Sequence, residues 1–292
     1  MEYKYVIYEA KDGIATITLN WPERLNVFNM MGTKEGVFTD MLDALTEAED
    51  DDEVKVVIIK GAGSSLCAGE DLSQAGFVYG FGIGKKGERR PSQRIRLKYD
   101  KKFMSDWVRL LYCSKITICQ GHGYCLGAGT MVLLFCDFAI VDEDAVLGFV
   151  EERIGTSGSA NPFIVPLILT VGLKKARELI YTGRRFSGKE AAEMGLVTKA
   201  VPADKLEAEV EAVAKDVNLL PSDGIGIAKA SMELWLNILG THTAGVSAAY
   251  MSHTLFTNLR WEQGEYNFFK ARRDKGLRES LHGMHDRFET NK

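Results

Sequence analysis

Two glycine-rich loops, each placed after an apolar strand-like run, constrain the fold of this chain more than any other feature. The first loop reads SLCAGEDL at residues 65–72, and the second reads GYCLGAG at residues 123–129. Each is expected to lead into a helix and to aim a backbone N–H at one developing negative charge. Two such donors converging on a carbonyl oxygen form an oxyanion hole, and removing one typically costs about 100- to 1000-fold in rate. The pattern favours an enzyme that forms enolates or tetrahedral oxyanions.

Strand-like and helix-like segments alternate along the first 200 residues. Residues 6–8 and 13–19 alternate apolar and polar side chains around Asp12-Gly13, which predicts a β-hairpin. Helical spacing is found over residues 31–50, 99–111 and 127–135, and apolar strand-like runs occupy residues 54–60, 116–119 and 138–141. This order predicts an α/β fold with right-handed βαβ units on a mainly parallel sheet.

The C-terminal third carries a different pattern. Strand signals stop beyond Ala200, and residues 205–217, 221–239 and 246–273 have helical spacing, broken by Pro221 and Gly240. We therefore predict two regions: a core over residues 1–200 that holds the active site, and a helical region over residues 201–292. The helical region is expected to pack against neighbouring subunits and to cap the active site.

Composition and charge exclude several function classes. The formal net charge of −4 gives no general basic surface for nucleic acid or for an anionic membrane. The longest apolar run, residues 131–135, is far too short to span a membrane, and the N-terminal residues lead directly into strand-like sequence. Five cysteines without CxxC spacing indicate buried thiols in a reducing compartment. We expect a cytoplasmic protein with no nucleic-acid or membrane partner.

One segment between the glycine loops stands apart. Residues 77–96 contain four glycines and six lysines or arginines. This composition predicts a mobile loop. Its basic cluster is interpreted either as a solvated surface or as a contact for an anion, and the solvated surface is the preferred reading.

A family resemblance follows from the two loops and the segments around them. The runs LCAGEDL at residues 66–72, GHGYCLGAG at residues 121–129 and CDFAI at residues 136–140 resemble the crotonase superfamily, also called the enoyl-CoA hydratase/isomerase family. Further similar runs are WPERLN at residues 21–26, YTGR at residues 181–184, AAEMGLV at residues 191–197 and FFKARRDKG at residues 268–276. The resemblance covers almost the whole chain except residues 77–96.

The resemblance implies a spiral of ββα repeats with a helical C-terminal region that trimerises, often as a dimer of trimers, so the expected assembly is a homotrimer or homohexamer. It also implies an acyl-CoA thioester as substrate. By position, the thioester oxygen would accept hydrogen bonds from the backbone N–H groups of Glu70 and Ala128. Ala128 stands where the family more often has glycine, but alanine still supplies the amide.

The resemblance also locates the acid–base chemistry. Family hydratases use two glutamates, and the positions that match them here are Met131 and Glu151. Glu151 is expected to act alone as base and acid, because burial of a single carboxyl raises its pKa toward neutral pH. Without the resemblance, Glu151 beside Glu152 would be read as an exposed carboxylate. Met131 is interpreted as core packing or as a substrate contact, and Asn161 as a turn residue before Pro162 or as an amide that positions water or substrate.

Coenzyme A binding is likewise assigned by resemblance. Arg24, Leu25 and Ala68 would border the adenine and pantetheine path, and Lys270 from a neighbouring tail would meet a phosphate. No permanently bound cofactor is expected, since coenzyme A belongs to the substrate, and no histidine has the spacing of a metal ligand. His122 is expected to form a structural hydrogen bond.

Several functions remain open at this point. Hydratase or lyase chemistry with one glutamate comes first, and double-bond isomerisation second. Hydrolysis of a β-diketone or ring acyl-CoA is a third alternative. A non-enzymatic scaffold or RNA-binding role is disfavoured by the acidic charge balance.

Overall fold

A six-stranded sheet forms the centre of the molecule. The structure is a computed structural model and describes residues 2–29, 35–73, 92–156, 162–242, 246–255 and 259–289. The sheet has the order β1(Val6–Lys11), β2(Ile14–Leu19), β3(Val56–Gly61), β4(Ile116–Gly121), β6(Phe138–Asp142), β9(Lys199–Val201). The β1–β2 pair is the antiparallel hairpin that Asp12-Gly13 predicts, and all other neighbours in this sheet are parallel. The predicted boundary between residues 200 and 201 falls inside β9.

A second, smaller sheet lies at the edge of the core. It contains three strands of two or three residues each: β5(Tyr124–Leu126), β7(Val146–Gly148) and β8(Phe186–Ser187). The β5–β7 pair is parallel and the β7–β8 pair is antiparallel. Strands this short carry no readable alternation, so the sequence did not predict this sheet. It matters for function because β5 belongs to the second glycine loop.

Ten α-helices surround the sheets in the described parts of the chain. They are α1(Val37–Asp50), α2(Gln93–Leu111), α3(Ala128–Phe135), α4(Ile164–Thr182), α5(Gly188–Glu193), α6(Leu206–Asn218), α7(Ser222–Ile238), α8(Val246–Leu255), α9(Phe268–Lys275) and α10(Leu277–Glu289). None of these helices is both long and apolar enough to cross a membrane.

Hydrophobic layers cover both faces of the main sheet. In β3, Val57 and Ile59 point into the larger core, while Val56 and Ile58 point into a second core formed with α6. A strand of a parallel sheet that is buried on both faces reads as a continuous apolar run, which is the pattern of β3. The larger core is centred on Trp107, whose ring contacts Phe28, Phe38, Phe103 and Phe135.

Two sequence predictions about secondary structure are wrong, one of a helix and one of a loop. The predicted helix over residues 246–273 is interrupted, because α8 ends at Leu255, residues 259–267 are not helical, and α9 begins after Asn267. The Asn267 side chain accepts a hydrogen bond from the Lys270 N–H at 2.8 Å and caps the new helix. Gly264, with φ of +94°, lies in the non-helical stretch.

Arg96 is the second correction. It belongs to α2 rather than to a solvated loop, and it is buried beside Asp100, with 3.7 Å between Nε and Oδ2. A buried guanidinium needs such a carboxylate, which the helix supplies four residues later. Residues 77–91 of the predicted mobile loop lie outside the described residues.

Candidate active site

Asn26 holds the first glycine loop in place. Its side chain is fully buried and donates from Nδ2 to the carbonyl oxygens of Ala62 and Ser65, both at 2.9 Å. Its Oδ1 accepts from the Trp21 N–H at 2.8 Å. Two hydrogen bonds therefore tie Asn26 to the start of the loop, and the third fixes the turn between Trp21 and Asn26. The sequence contained Asn26 within a family-like run, but nothing local to it indicated this role.

The two glycine loops are hydrogen-bonded to each other. Leu66 N–H donates to the His122 carbonyl at 2.9 Å, Cys67 N–H donates to Tyr124 O at 3.0 Å, and Leu126 N–H donates to Cys67 O at 3.0 Å. A Cβ at Gly129 would lie only 2.3 Å from the Cys67 oxygen. The loops can approach this closely because glycine has no side chain.

The amides of Glu70 and Ala128 are both available for a ligand. Phe28 pairs with Glu70 through hydrogen bonds to the neighbours Gly69 and Asp71, each at 2.8 Å, so the Glu70 amide points away from Phe28. Ala128 is the first residue of α3, where an N–H has no intrahelical acceptor. Within the described ranges, neither amide has a hydrogen-bond acceptor.

Gly69 and Gly127 bring these two amides to the same region. Their φ angles are +108° and +51°, conformations that favour glycine. A Cβ at Gly127 would lie 3.9 Å from the Gly69 Cα. The positive end of the α3 dipole adds to this region, so the arrangement suits a developing negative charge.

Glu151 is positioned by the small sheet. It opens a 3₁₀ turn, Glu151–Ile154, that follows β7. The end of β7 is bonded to the start of α3, because the Gly127 N–H donates to Gly148 O at 2.8 Å and the Thr130 hydroxyl donates to the same oxygen at 3.1 Å. The helix that supplies the Ala128 amide and the turn that supplies Glu151 therefore share one rigid connection.

The Glu151 carboxyl faces the glycine loops. Its Oε1 lies 3.3 Å from the position that a Cβ of Gly127 would occupy. Its Oε2 is buried and has no hydrogen-bond partner in the part of the chain that the structure describes. Burial raises the pKa of Glu151 to about 7, although hydrogen bonds with the backbone of Glu151 and Val150 partly offset that effect. A carboxyl with such a pKa can both accept and return a proton near neutral pH.

A second carboxyl, which the sequence interpretation overlooked, lies at Glu70. Sequence reasoning used only the backbone N–H of this residue. Burial raises the pKa of the Glu70 carboxyl to about 8, and the charge of Glu151 contributes in the same direction. The available signal was an acidic side chain inside the apolar run LCAGEDL, directly after a glycine that approaches the second loop.

The other sequence-predicted residues fall into separate groups. Arg24, Leu25 and Ala68 lie together, since the Ala68 N–H donates to Leu25 O at 3.0 Å and the Arg24 guanidinium contacts the Asp71 carboxylate at 3.0 Å. Met131 is 2% exposed and belongs to the larger core. Asn161 lies outside the described residues.

Lys270 is exposed on α9, which packs against its own chain. The Arg272 guanidinium donates to the Leu72 carbonyl at 2.6 Å, directly after the first glycine loop. Phe268 and Phe269 pack with Ile154 of the turn that begins at Glu151. The C-terminal helices therefore contact both segments that supply site residues.

Two smaller predictions concern His122 and the five cysteines. His122 makes the expected structural hydrogen bond, with Nε2 3.1 Å from Gly63 O, so that prediction is confirmed. All five cysteines are buried free thiols, as the sequence indicated. No group of three or more His, Cys, Asp or Glu residues in the described ranges is arranged to hold a metal ion.

This architecture defines the class of protein. A parallel sheet with a small second sheet, two paired glycine loops and a helical C-terminal region is the crotonase fold that the sequence predicted. The model of the enoyl-CoA hydratase/isomerase family matches residues 9–275. The chain belongs to that enzyme family.

Individual relatives agree with this assignment. The chain is 28% identical over 236 residues to the probable enoyl-CoA hydratase echA8 of Mycobacterium bovis, covering 80% of this chain and 82% of that protein. It is similar to the crystal structure of an enoyl-CoA hydratase/isomerase from Xanthobacter autotrophicus Py2, with 28% identity, a TM-score of 0.82 and coverage of 98% and 99% of the two chains. An enoyl-CoA hydratase from Mycobacterium smegmatis has 24% identity, a TM-score of 0.79 and coverage of 97% and 94%, which shows the shared fold.

Proposed function

We propose that this protein is an acyl-CoA enzyme that stabilises a thioester enolate and catalyses hydratase or lyase chemistry with Glu151. The observation that carries the proposal is the Glu151 carboxyl, buried without a hydrogen-bond partner for Oε2 among the described residues and facing the two glycine loops. A buried carboxyl oxygen without a hydrogen-bond partner lowers stability, and such groups are typical of functional sites.

In the hydratase reaction, the thioester oxygen accepts hydrogen bonds from the N–H groups of Glu70 and Ala128. Ionised Glu151 takes a proton from water while the water oxygen bonds to the β-carbon of the enoyl group. The π electrons move onto the thioester oxygen and form the enolate. Collapse of the enolate then returns the proton from Glu151 to the α-carbon, so one water is added and Glu151 is again ionised.

Substrate binding is assigned to the residues that the resemblance selected. Arg24, Leu25 and Ala68 form one cluster, which supports a shared path for the adenine and pantetheine parts of coenzyme A. Arginine suits phosphate because its planar guanidinium binds two oxygens at once. Lys270 is exposed and is proposed as a further phosphate contact. No permanently bound cofactor is required for this chemistry.

Double-bond isomerisation is the second candidate. By resemblance, the buried Met131 puts an apolar side chain where two-glutamate hydratases have their first glutamate, and an isomerase needs no water there. Glu151 would then remove a proton from one carbon of the acyl chain and return it to another. Hydrolysis of a β-diketone acyl-CoA in the same oxyanion hole is the third candidate.

We also propose a homotrimer or homohexamer. On α7, the side chains of Ile227, Trp235 and Ile238 are 73%, 60% and 64% exposed in the single chain. Apolar patches of this kind on a surface mark interaction sites. Sedimentation equilibrium of the purified protein tests this proposal, and a monomer across the micromolar range would refute it.

A panel of CoA thioesters tests the proposed function. Enoyl-, hydroxyacyl-, feruloyl- and β-diketone thioesters are incubated with the protein, and product mass and solvent deuterium uptake are followed. A gain of one water supports the hydratase, deuterium uptake without a mass gain of water supports the isomerase, and release of free CoA supports the hydrolase. We expect Glu151→Gln to lower turnover at least about 100-fold. Glu53→Gln removes an exposed charge before β3, at the far end of that strand from the site, and is the matched control.

A further inference from the structure

The Glu70 carboxyl is the feature of the site that the one-glutamate mechanism leaves without a role. Its backbone is held on both sides, because Phe28 N–H donates to Gly69 O and Asp71 N–H donates to Phe28 O. No described residue donates a hydrogen bond to its side chain. An ionisable group that is partly buried and has no structural partner is a candidate for direct contact with a ligand.

The backbone places Glu70 next to Glu151. The Cβ position of Gly127 is 3.3 Å from Oε1 of Glu151 and 3.9 Å from Cα of Gly69, the residue that precedes Glu70. The two carboxyls are close enough for the charge of Glu151 to oppose ionisation of Glu70. Burial raises the pKa of Glu70, and of the charged groups in the described ranges only Glu151 raises it further.

Two neighbouring carboxyls in a desolvated site do not both ionise easily. Near neutral pH the pair therefore holds about one proton, with one carboxyl neutral and the other ionised. Burial raises the pKa of both carboxyls, and the charge of Glu151 raises that of Glu70 further, so Glu70 is the group that keeps the proton. A site with one acid and one base can transfer two different protons within a single turnover.

We propose that the Glu70 side chain is a second catalytic carboxyl, which donates a proton to the substrate while Glu151 accepts one. The proposal rests on the acyl-CoA function proposed above. When water adds, Glu151 takes the proton from water as the C–O bond forms at the β-carbon. Glu70 gives its own proton to the α-carbon as the enolate collapses. Glu151 then passes its proton to Glu70, and the pair regains its starting state.

This assignment gives the residue two separable roles. The backbone N–H of Glu70 is offered to the thioester oxygen, and the carboxyl exchanges a proton. Because a side-chain substitution keeps the amide, Glu70→Gln removes the second role and preserves the first. It also preserves the shape of the side chain, so the variant is expected to fold.

The test compares wild type, Glu70→Gln, Glu151→Gln and the control Glu53→Gln with an enoyl-CoA as substrate. We expect Glu70→Gln to lower kcat about 100-fold or more, with KM changed much less. In wild type the rate rises as Glu151 ionises and falls as Glu70 loses its proton at higher pH. The alkaline fall in rate is expected to disappear in Glu70→Gln and to remain in Glu53→Gln.

Infrared spectroscopy of the thioester-free protein provides a readout that does not depend on activity. At about pH 7.5 we expect the absorption of a protonated carboxyl, and we expect most of it to be lost in Glu70→Gln, because Glu151, with a pKa of about 7, is mostly ionised there. Wild-type kcat and pH dependence in Glu70→Gln, together with an inactive Glu151→Gln, would overturn this proposal and leave the proposed function standing. A wild-type protein inactive on every thioester would overturn both.

Discussion

Neutralising Glu151 is expected to stabilise the protein at alkaline pH while it removes activity. In the folded chain the pKa of Glu151 is about 7, against an ordinary value of 4.5. The folded state therefore keeps a proton that the unfolded state has already released, and stability is lost as pH rises from 4.5 toward 7. At about 1.4 kcal/mol per pKa unit, the full loss at alkaline pH is roughly 3 kcal/mol.

The assay is urea unfolding of wild type, Glu151→Gln and Glu53→Gln at about pH 5 and about pH 8.5, at one protein concentration. Part of the loss has already occurred at about pH 5, so wild type should lose about 2.5 kcal/mol more than Glu151→Gln between the two conditions. Glu53→Gln should follow wild type, because Glu53 is exposed.

The coupling between Glu70 and Glu151 provides a second comparison. The charge of Glu151 contributes to the raised pKa of Glu70, so Glu151→Gln also relieves Glu70. At alkaline pH, the gain in the free energy of unfolding of the double variant should therefore be smaller than the sum of the gains of Glu70→Gln and Glu151→Gln. Parallel pH dependence in wild type and Glu151→Gln would refute the reasoning, because it would mean that the carboxyl ionises as readily in the folded state as in water.

Three further predictions concern the frame of the site. Asn26→Ala leaves one buried and two partly buried backbone groups without their partner, and urea unfolding should show a loss of about 3 kcal/mol; a change below about 1 kcal/mol would contradict it. Gly129→Ala places a Cβ against the Cys67 oxygen, so the loops must separate, and kcat should fall about 100-fold in the thioester assay; unchanged turnover would argue against the close pairing. All five thiols are buried, and burial also raises the pKa of Cys67 to about 12; because reagent cannot reach them, iodoacetamide should label the five thiols only in urea, as read by intact mass. Rapid labelling of the native protein would count against their burial.

Local pattern was sufficient for the frame of this molecule. The hairpin at Asp12-Gly13, the strands β3, β4 and β6, and the helix after Gly127 were all readable, because each has its own alternation or helical spacing. The two segments that supply the backbone amides of the site were predicted from their glycines, which are visible in the sequence. The family assignment rested on the same residues and is confirmed.

The features that the sequence did not reveal depend on distant parts of the chain. The burial of Glu70 and its proximity to Glu151 depend on residues about 80 positions apart that only the folded sheet brings together. The short strands β5, β7 and β8 are defined by their partners, not by their own composition. Arg96 is a different case, because its partner Asp100 lies only four residues further along α2; what the sequence did not show is that this part of the helix is buried.

The contact between Arg272 and Leu72 also affects the order in which parts of the protein fold and in which activity is recovered. These residues are 200 positions apart, and their hydrogen bond joins α9 to the segment that follows the first glycine loop. Contacts between such distant positions form slowly, since the entropy of closing a long loop is lost before the contact repays it. We therefore expect the sheet to collapse first and the catalytic region to mature in a later kinetic phase. During refolding, recovery of turnover should lag behind the return of Trp107 to its buried environment.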